Sequence, residues 1–263
     1  MTIRCYCPQI QLNQNALTIT DLKEIHHIKN VLRLKKGEPL TVFDGEGQEY
    51  HGVIDSFGPQ TAVVRVNDVR RNERVRPLLI LACAVPKKGK FEDIIEKATE
   101  LGADEIIPLQ TRRTEVVFKP EARERKQQRF ESVAVSAAKQ CQRSTIPVIH
   151  PPMNFKDAMA YLKIKTFLVI PSLSGDRQPL LKVLEEFDWS KGISFLIGPE
   201  GDFTLEEYQW AWKEGACAVT LGETVLRVET AAVSVIAAAN FYLDRIMGTR
   251  PHSSHTVKSA QKD

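Results

Sequence analysis

Apolar and polar positions follow two different periods along this chain. From Ile3 to about Val69 they come in short β-type runs: Thr41-Val-Phe-Asp-Gly-Glu-Gly-Gln, Tyr50-His-Gly-Val-Ile and Thr61-Ala-Val-Val-Arg-Val. Asp44-Gly45 marks a tight turn and Phe57-Gly58-Pro59 a second break, so a small closed or half-closed β-barrel is predicted. One helix interrupts it, Asp21 to Arg33, with apolar residues at Leu22, Ile25, Ile28 and Leu32 and with Asp21 and Glu24 spaced like a capping box. The charged stretch Arg70 to Pro77 reads as a linker.

Beyond Pro77, buried-type strands alternate with helices. Strands are expected at Leu78–Val85, Glu105–Leu109, Phe167–Ile170, Ser194–Ile197 and Ala218–Leu221, and helices at Phe91–Leu101, Ala122–Gln140, Leu205–Glu214 and Ala231–Met247. Such alternation predicts an α/β domain with a mostly parallel sheet covered on both faces. Phe91, Ile94, Ile95, Ala98 and Leu101 form one apolar helical stripe, and Gly102 follows as its C-cap. The polar, aperiodic stretch after Gly248 is expected to be a disordered tail. The predicted organisation is a β-rich domain over 1–72, an α/β domain over 73–248 and a tail over 249–263.

Composition narrows the class. With 263 residues, 43% hydrophobic and 26% charged, the chain is long enough for one or two globular domains. Its longest apolar stretches fall well below the roughly 18–20 residues of a membrane span, and no apolar leader stands at Met1, so a cytoplasmic protein without membrane attachment is expected. The five cysteines (Cys5, Cys7, Cys83, Cys141, Cys217) are scattered and include no CxxC pair, which argues against a disulfide framework or a zinc site.

The net charge of +3 names no partner, but its distribution does. Between Gln110 and Thr145 nine basic residues face four acidic ones, and Lys87, Lys88, Lys90 and the Arg70–Arg76 stretch add to them. Such a surface suits a polyanion, although the Ala122–Arg129 part reads equally well as a solvated helix face. Arg112-Arg113 and Lys139 to Arg143 follow or precede strands, where α/β proteins build their sites.

Two glycine-bearing turns each follow a strand and precede a helix. In Ile197-Gly-Pro-Glu-Gly-Asp-Phe-Thr204 the strand runs into Gly198 and Gly201, and Thr204 with Glu207 forms a capping box. The second turn runs Leu221-Gly222-Glu-Thr-Val225-Leu226-Arg227-Val-Glu229. Both lack the Gly-Lys-Ser/Thr end of a P-loop and the GxGxxG of a dinucleotide turn. They either serve the chain's own geometry or line one pocket, with Leu221, Val225 and Leu226 as apolar walls and backbone groups reading an adenine edge. Arg227 and Glu229 are an ordinary pair at a helix start or residues of that site.

These segments, with His27-Ile-Lys-Asn-Val-Leu-Arg33, Lys97 to Gly102 and Ala137 to Pro147, resemble the RsmE family of SPOUT methyltransferases, which methylate N3 of a uridine in bacterial 16S ribosomal RNA. One departure is Asp202, where that family usually continues with glycine. The resemblance implies an N-terminal PUA-like RNA-docking barrel, a C-terminal α/β domain tied in a deep trefoil knot, and a homodimer. It implies S-adenosyl-L-methionine as cofactor, held by Ile170, Leu196, Ile197, Gly198, Glu200, Gly201, Leu221, Gly222, Val225 and Leu226, and no metal. Small-subunit ribosomal RNA is the implied partner, contacted by Arg33, Lys87, Arg112 and Arg113. Arg143 and Arg227 would orient the nucleotide and stabilise charge, and Glu229 or Glu200 would be the base, unless these carboxylates fix loops through backbone N–H groups. The alternatives are a SPOUT enzyme acting on a ribose 2′-hydroxyl, a non-catalytic RNA-binding module and, against the missing phosphate motif, a nucleotide hydrolase.

Overall fold

A computed structural model describes residues 3–72, 76–87, 90–116, 120–173 and 175–248. The expected tail over 249–263 and residues 73–75 of the expected linker lie outside them. Residues 3–72 form a six-stranded sheet from β1 (Ile3–Tyr6), β2 (Leu12–Asn13), β3 (Ala16–Ile19), β4 (Pro39–Phe43), β5 (Gln48–Phe57) and β6 (Ala62–Arg71), in the order β1-β4-β5-β6-β3-β2. Alternate residues such as Leu17, Ile19, Leu40, Val42, Ile54, Ala62 and Val64 point into one core, as the period of two requires. Two register shifts in the β5–β6 pair bend these long strands. Arg70 and Arg71 still pair in β6, so that part of the expected linker is strand. The predicted helix is a short α1 (Leu22–His26), capped by the Asp21 carboxylate on Lys23 N and Glu24 N, and continues as a π-helical turn over His27–Val31.

The rest of the chain builds a parallel sheet from β7 (Leu79–Ala84), β8 (Glu105–Gln110), β9 (Val148–Ile149), β10 (Met153–Asn154), β11 (Thr166–Pro171), β12 (Gln178–Pro179), β13 (Gly192–Ile197) and β14 (Cys217–Thr220). The order is β10-β8-β7-β13-β11-β14-β12, with β9 beside β8. Helices α2 (Phe91–Glu100), α3 (Pro120–Gln140), α4 (Phe155–Lys163), α5 (Leu180–Glu186), α6 (Leu205–Lys213) and α7 (Val228–Met247) cover it. Leu79, Leu81 and Cys83 face the layer of α2, α3 and α7, while Ile80 and Ala82 face that of α4 and α6. The stripe Phe91, Ile94, Ile95 and Ala98 is buried as its spacing predicts. Helices α4 and α5 were not anticipated, although Phe155, Ala158, Met159 and Leu162 carry the helical spacing and Asn154 caps α4. All five cysteines are free.

Two features of this arrangement position the site. Strand β13 is inserted between β7 and β11, so the loops after β7, β11, β13 and β14 crowd together at the carboxyl edge of the sheet, where open α/β sheets bind ligands. The barrel is fastened at the other edge, where Ile146 N donates to Gly45 O (2.9 Å), Gly47 N to Ser144 O (3.2 Å) and Asn72 Nδ2 to Ser144 Oγ (2.9 Å). Lys139 pairs with Glu24 across the same seam (2.7 Å).

Candidate active site

Strand β13 is buried along its whole length and leaves the sheet at Gly198. A β-carbon on Gly198 would stand 3.1 Å from the Phe203 ring, which is wedged between Phe155 and Tyr208, so glycine here makes room for that ring. Pro199 to Asp202 close a turn through Asp202 N to Pro199 O (2.8 Å), with Asp202 in the left-handed region at φ 61°. The predicted capping box of Thr204 and Glu207 starts α6. Buried Glu207 also accepts Arg112 N (2.9 Å), and the Arg113 guanidinium donates to Gly201 O (2.7 Å) and Phe203 O (3.3 Å), tying the loop after β8 to the glycine turn. After β14, Thr220 Oγ1 donates to Gly222 O (2.9 Å), and Gly222 adopts φ 129°, a conformation that only glycine takes readily.

The two turns enclose a cavity of about 620 Å³, within the range of small-molecule and cofactor sites. Of the residues expected there, Ile197, Gly198, Glu200, Leu221, Gly222, Val225, Leu226, Arg227 and Glu229 line it, as does Lys87. Ile170 and Leu196 do not: both are fully buried between the sheet and the α4–α6 layer, one strand residue too deep. Their neighbours Pro171, Ser172, Leu173 and Ile197 reach the wall instead. Gly201 faces an adjoining, more open cavity of about 520 Å³ that shares Lys87 and Glu200 with the first and adds Arg112, Arg113, Thr114 and Glu115. Lys90, Arg177 and Asp202 also line the first cavity and were missed. For Asp202 the signal was its position inside the glycine turn.

Charges in the cavity are largely committed to the chain itself. The Glu200 carboxylate accepts Lys87 N (3.0 Å), and Lys87 Nζ pairs with Glu115 (2.6 Å). Glu229 is bonded to the Lys90 ammonium, which holds its carboxyl below the usual range and leaves it a poor base. Burial, reinforced by the hydrogen bond to Asp202, pushes the Tyr208 hydroxyl up. Arg227 is exposed on the rim, and its guanidinium makes no hydrogen bond or ion pair among the described residues.

Arg143 is not brought to this cavity. Its guanidinium donates to Thr99 O (2.9 Å), Asp104 Oδ1 (3.2 Å) and Thr145 Oγ1 (2.9 Å), beside the starts of β7 and β8 and so at the opposite edge of the sheet. Burial pushes its pKa down to about 10. Being next to a strand placed it near the sheet but at the wrong end. Arg33 is exposed after the π-helical turn, in the left-handed conformation at φ 56°.

The cavity suits a nucleoside-sized ligand. Apolar Leu173, Leu221, Val225 and Leu226 stand beside backbone N–H and C=O groups of two turns, and nothing lies within 4 Å of where a β-carbon of Gly222 would be. A family model for an RNA methyltransferase domain matches residues 74–240, and one for an RNA methyltransferase PUA domain matches residues 19–67. The chain is 30% identical over 245 residues to ribosomal RNA small subunit methyltransferase E of Synechocystis sp., covering 93% of this chain and 79% of that one. It is 30% identical over 237 residues to the Rickettsia conorii protein of the same name, covering 89% and 93%. Among solved structures, ribosomal RNA small subunit methyltransferase E from Neisseria gonorrhoeae bound to S-adenosyl methionine superposes with a TM-score of 0.79 at 27% identity, covering 92% of this chain and 98% of that one. A methyltransferase of Legionella pneumophila in complex with bound SAM gives 0.76 at 28% identity, covering 94% and 98%. A parallel sheet whose carboxyl-edge turns close on one cavity, a barrel fastened beside it, and these likenesses lead to one conclusion: the chain belongs to the family of RNA methyltransferases that includes ribosomal RNA small subunit methyltransferase E.

Proposed function

We propose that this protein methylates N3 of a uridine in small-subunit ribosomal RNA, using S-adenosyl-L-methionine. The observation that carries this reading is the closure of two glycine-bearing turns, after β13 and β14, on one cavity with an unpaired arginine at its rim. The cofactor, when bound between those turns, supplies a methyl group on a positively charged sulfur. The chain's residues must then present N3 of the base to it and stabilise the anion left when the N3 proton departs. Arg227 is the group for that task, since its charge is uncommitted among the described residues. Glu229 and Glu200 act as loop fasteners, because one is neutralised by Lys90 and the other is bonded to Lys87 N. The adjoining basic cavity, with Lys87 and Arg112, receives phosphate, while Arg113 holds the glycine turn. Arg143 keeps the sheet's amino edge in place.

Within this reading, residues 1–72, Arg33 among them, dock RNA, and 73–248 carry the chemistry. The insertion of β13 between β7 and β11 supports a knotted path for the carboxyl-terminal segments. The exposed apolar side chains of Leu173 and Val225, on the cavity loops, support a homodimer with its interface beside the site. No helix among the described residues is long and apolar enough to cross a membrane. A cytoplasmic location follows from the proposed substrate.

The test is methyl transfer to small-subunit RNA isolated from cells lacking the protein, followed by mass mapping of the product. Methylation at N3 of one uridine is expected; a methyl on ribose, or none at all, refutes the reading. Arg227→Ala should fold normally and lose transfer by about 100-fold, the scale of removing one group that stabilises developing charge. Wild-type turnover in that variant removes Arg227 from the mechanism.

A further inference from the structure

Two carboxylates of the cavity, Asp202 and Glu223, take no part in that chemistry, and Asp202 is the one held in place. Asp202 stands where the family pattern has a second glycine, and it keeps a conformation glycine would supply, φ 61°. Aspartate is among the few residues that tolerate it. Its Oδ1 is held twice, by Phe203 N (2.8 Å) and by the Tyr208 hydroxyl (2.7 Å). Tyr208 is itself buried in the layer under the loop, so the carboxylate is fixed from behind. Oδ2 has no hydrogen-bond or ion-pair partner among the described residues, and Asp202 is one of the residues lining the cavity.

The other carboxylates there differ in this respect. Glu200 is bonded to Lys87 N and Glu229 to Lys90. Glu223 is exposed, and no hydrogen bond among the described residues fixes it. Glu200 too has one oxygen bonded and the other without a partner among the described residues, but Asp202 alone of the four has one oxygen held by two hydrogen bonds, one of them from a buried side chain, and the other uncommitted. The expected ligand carries two cationic groups, the sulfonium and the α-ammonium, and an anion held in place before binding attracts a cation without the cost of ordering a side chain.

We propose that the Asp202 carboxylate is the counter-ion for a positive charge of the bound cofactor, with Tyr208 as its positioning residue. The inference rests on the reading of the cavity as the S-adenosylmethionine site. It gives the pocket a way to prefer its charged cofactor over neutral adenine nucleosides, which fill the same apolar walls. If the charge is the sulfonium, the pocket also prefers cofactor over demethylated product.

Isothermal titration of the full chain with three ligands tests this: S-adenosylmethionine carries both cations, S-adenosylhomocysteine only the ammonium, and 5′-methylthioadenosine neither. Asp202→Asn is the variant of choice, because asparagine tolerates the left-handed backbone and still accepts from Phe203 N and Tyr208 while the charge is lost. Its Kd for S-adenosylmethionine should rise about tenfold and its Kd for 5′-methylthioadenosine stay within about twofold, since only a charged ligand loses an ion-pair energy of this order. S-adenosylhomocysteine weakening with the cofactor supports the ammonium as the partner; its remaining unchanged supports the sulfonium. An equal loss for all three ligands overturns the proposal, as it marks a distorted loop, and so does an unchanged Kd for S-adenosylmethionine. Asp202→Gly, which fits the same backbone, gives a second reading if the asparagine variant folds poorly. Tyr208→Phe should show the same ranking of ligands with a smaller effect. Wild-type protein that binds none of the three ligands overturns the cofactor reading itself.

Discussion

Arg143→Ala separates an architectural arginine from an RNA-facing one. In the wild type the guanidinium spans three acceptors, Thr99 O at the end of α2, Asp104 Oδ1 at the start of β8, and Thr145 Oγ1 in the loop that receives the barrel. Asp104 is buried, and its other oxygen accepts Leu79 N (2.8 Å), so the arginine completes a junction of two strands, a helix and the domain seam. Truncation removes three charge-assisted hydrogen bonds and the cation beside a buried carboxylate, which together cost about 3 kcal/mol. For a chain of this size that lowers the melting temperature by roughly 6–12 °C. Urea denaturation followed by circular dichroism measures the loss, and methyl transfer assayed at a temperature where the variant is folded should stay within about threefold of wild type, since a group remote from the reacting atoms contributes little to the barrier. Adding Asp104→Asn, which removes the carboxylate that Arg143 faces, should cost less than the sum of the two single changes, with a coupling of about 1 kcal/mol or more. The reasoning is refuted if Arg143→Ala unfolds together with the wild type and transfer still collapses.

Three further outcomes follow from the geometry. At Glu105, burial would raise the carboxyl pKa, but hydrogen bonds from His150, Lys165 and Tyr161 outweigh it and hold it at about 2. The depressed pKa contributes stability above the unfolded carboxyl's pKa of about 4.3 and loses it as pH falls toward 2, an effect on the order of 3 kcal/mol. The gap in urea midpoint between wild type and Glu105→Gln should therefore narrow steadily below pH 5, and a pH-independent gap contradicts the assignment. Gly198→Ala, forcing the Phe203 ring from its slot, should cost about 1–2 kcal/mol as an overpacked site does, together with a measurable loss of cofactor affinity by calorimetry. Unchanged stability and binding would show that the ring does not shape the turn. Arg112→Gln should reduce the salt slope of RNA binding by about 0.7, the value for one phosphate contact on a single strand, whereas Arg113→Gln, its guanidinium occupied by Gly201 O and Phe203 O, should leave the slope unchanged and weaken cofactor binding. Equal slopes for the two variants would refute that division of roles.

Local signals carried far in this chain. The stripe from Phe91 to Ala98, the Asp21 cap and the Thr204–Glu207 capping box are contacts between residues a few positions apart, so spacing alone revealed them. The same holds for α4, whose spacing was there to be read. The two glycine turns announced themselves because each ends a strand just before a helix.

What the tertiary structure decided is every question of which end and which neighbour. The core strands of the parallel sheet are apolar on both faces, so their sequences do not encode the insertion of β13 between β7 and β11, and that insertion brings the turn after β13 together with the one after β14. A residue beside a strand can lie at either edge of the sheet, which is why Arg227 reached the cavity and Arg143 the seam. Ile170 and Leu196 went into the core because a cavity opens only where a strand ends, and Asp202 entered the wall because a positive φ and the hydroxyl of Tyr208, packed into the layer beneath, hold it there. The sequence by itself determined which segments become strands, helices and turns, since those depend on near neighbours. Which turns share a cavity, and which charges in it remain free, depends on contacts between residues tens of positions apart, and only the packed structure settles them.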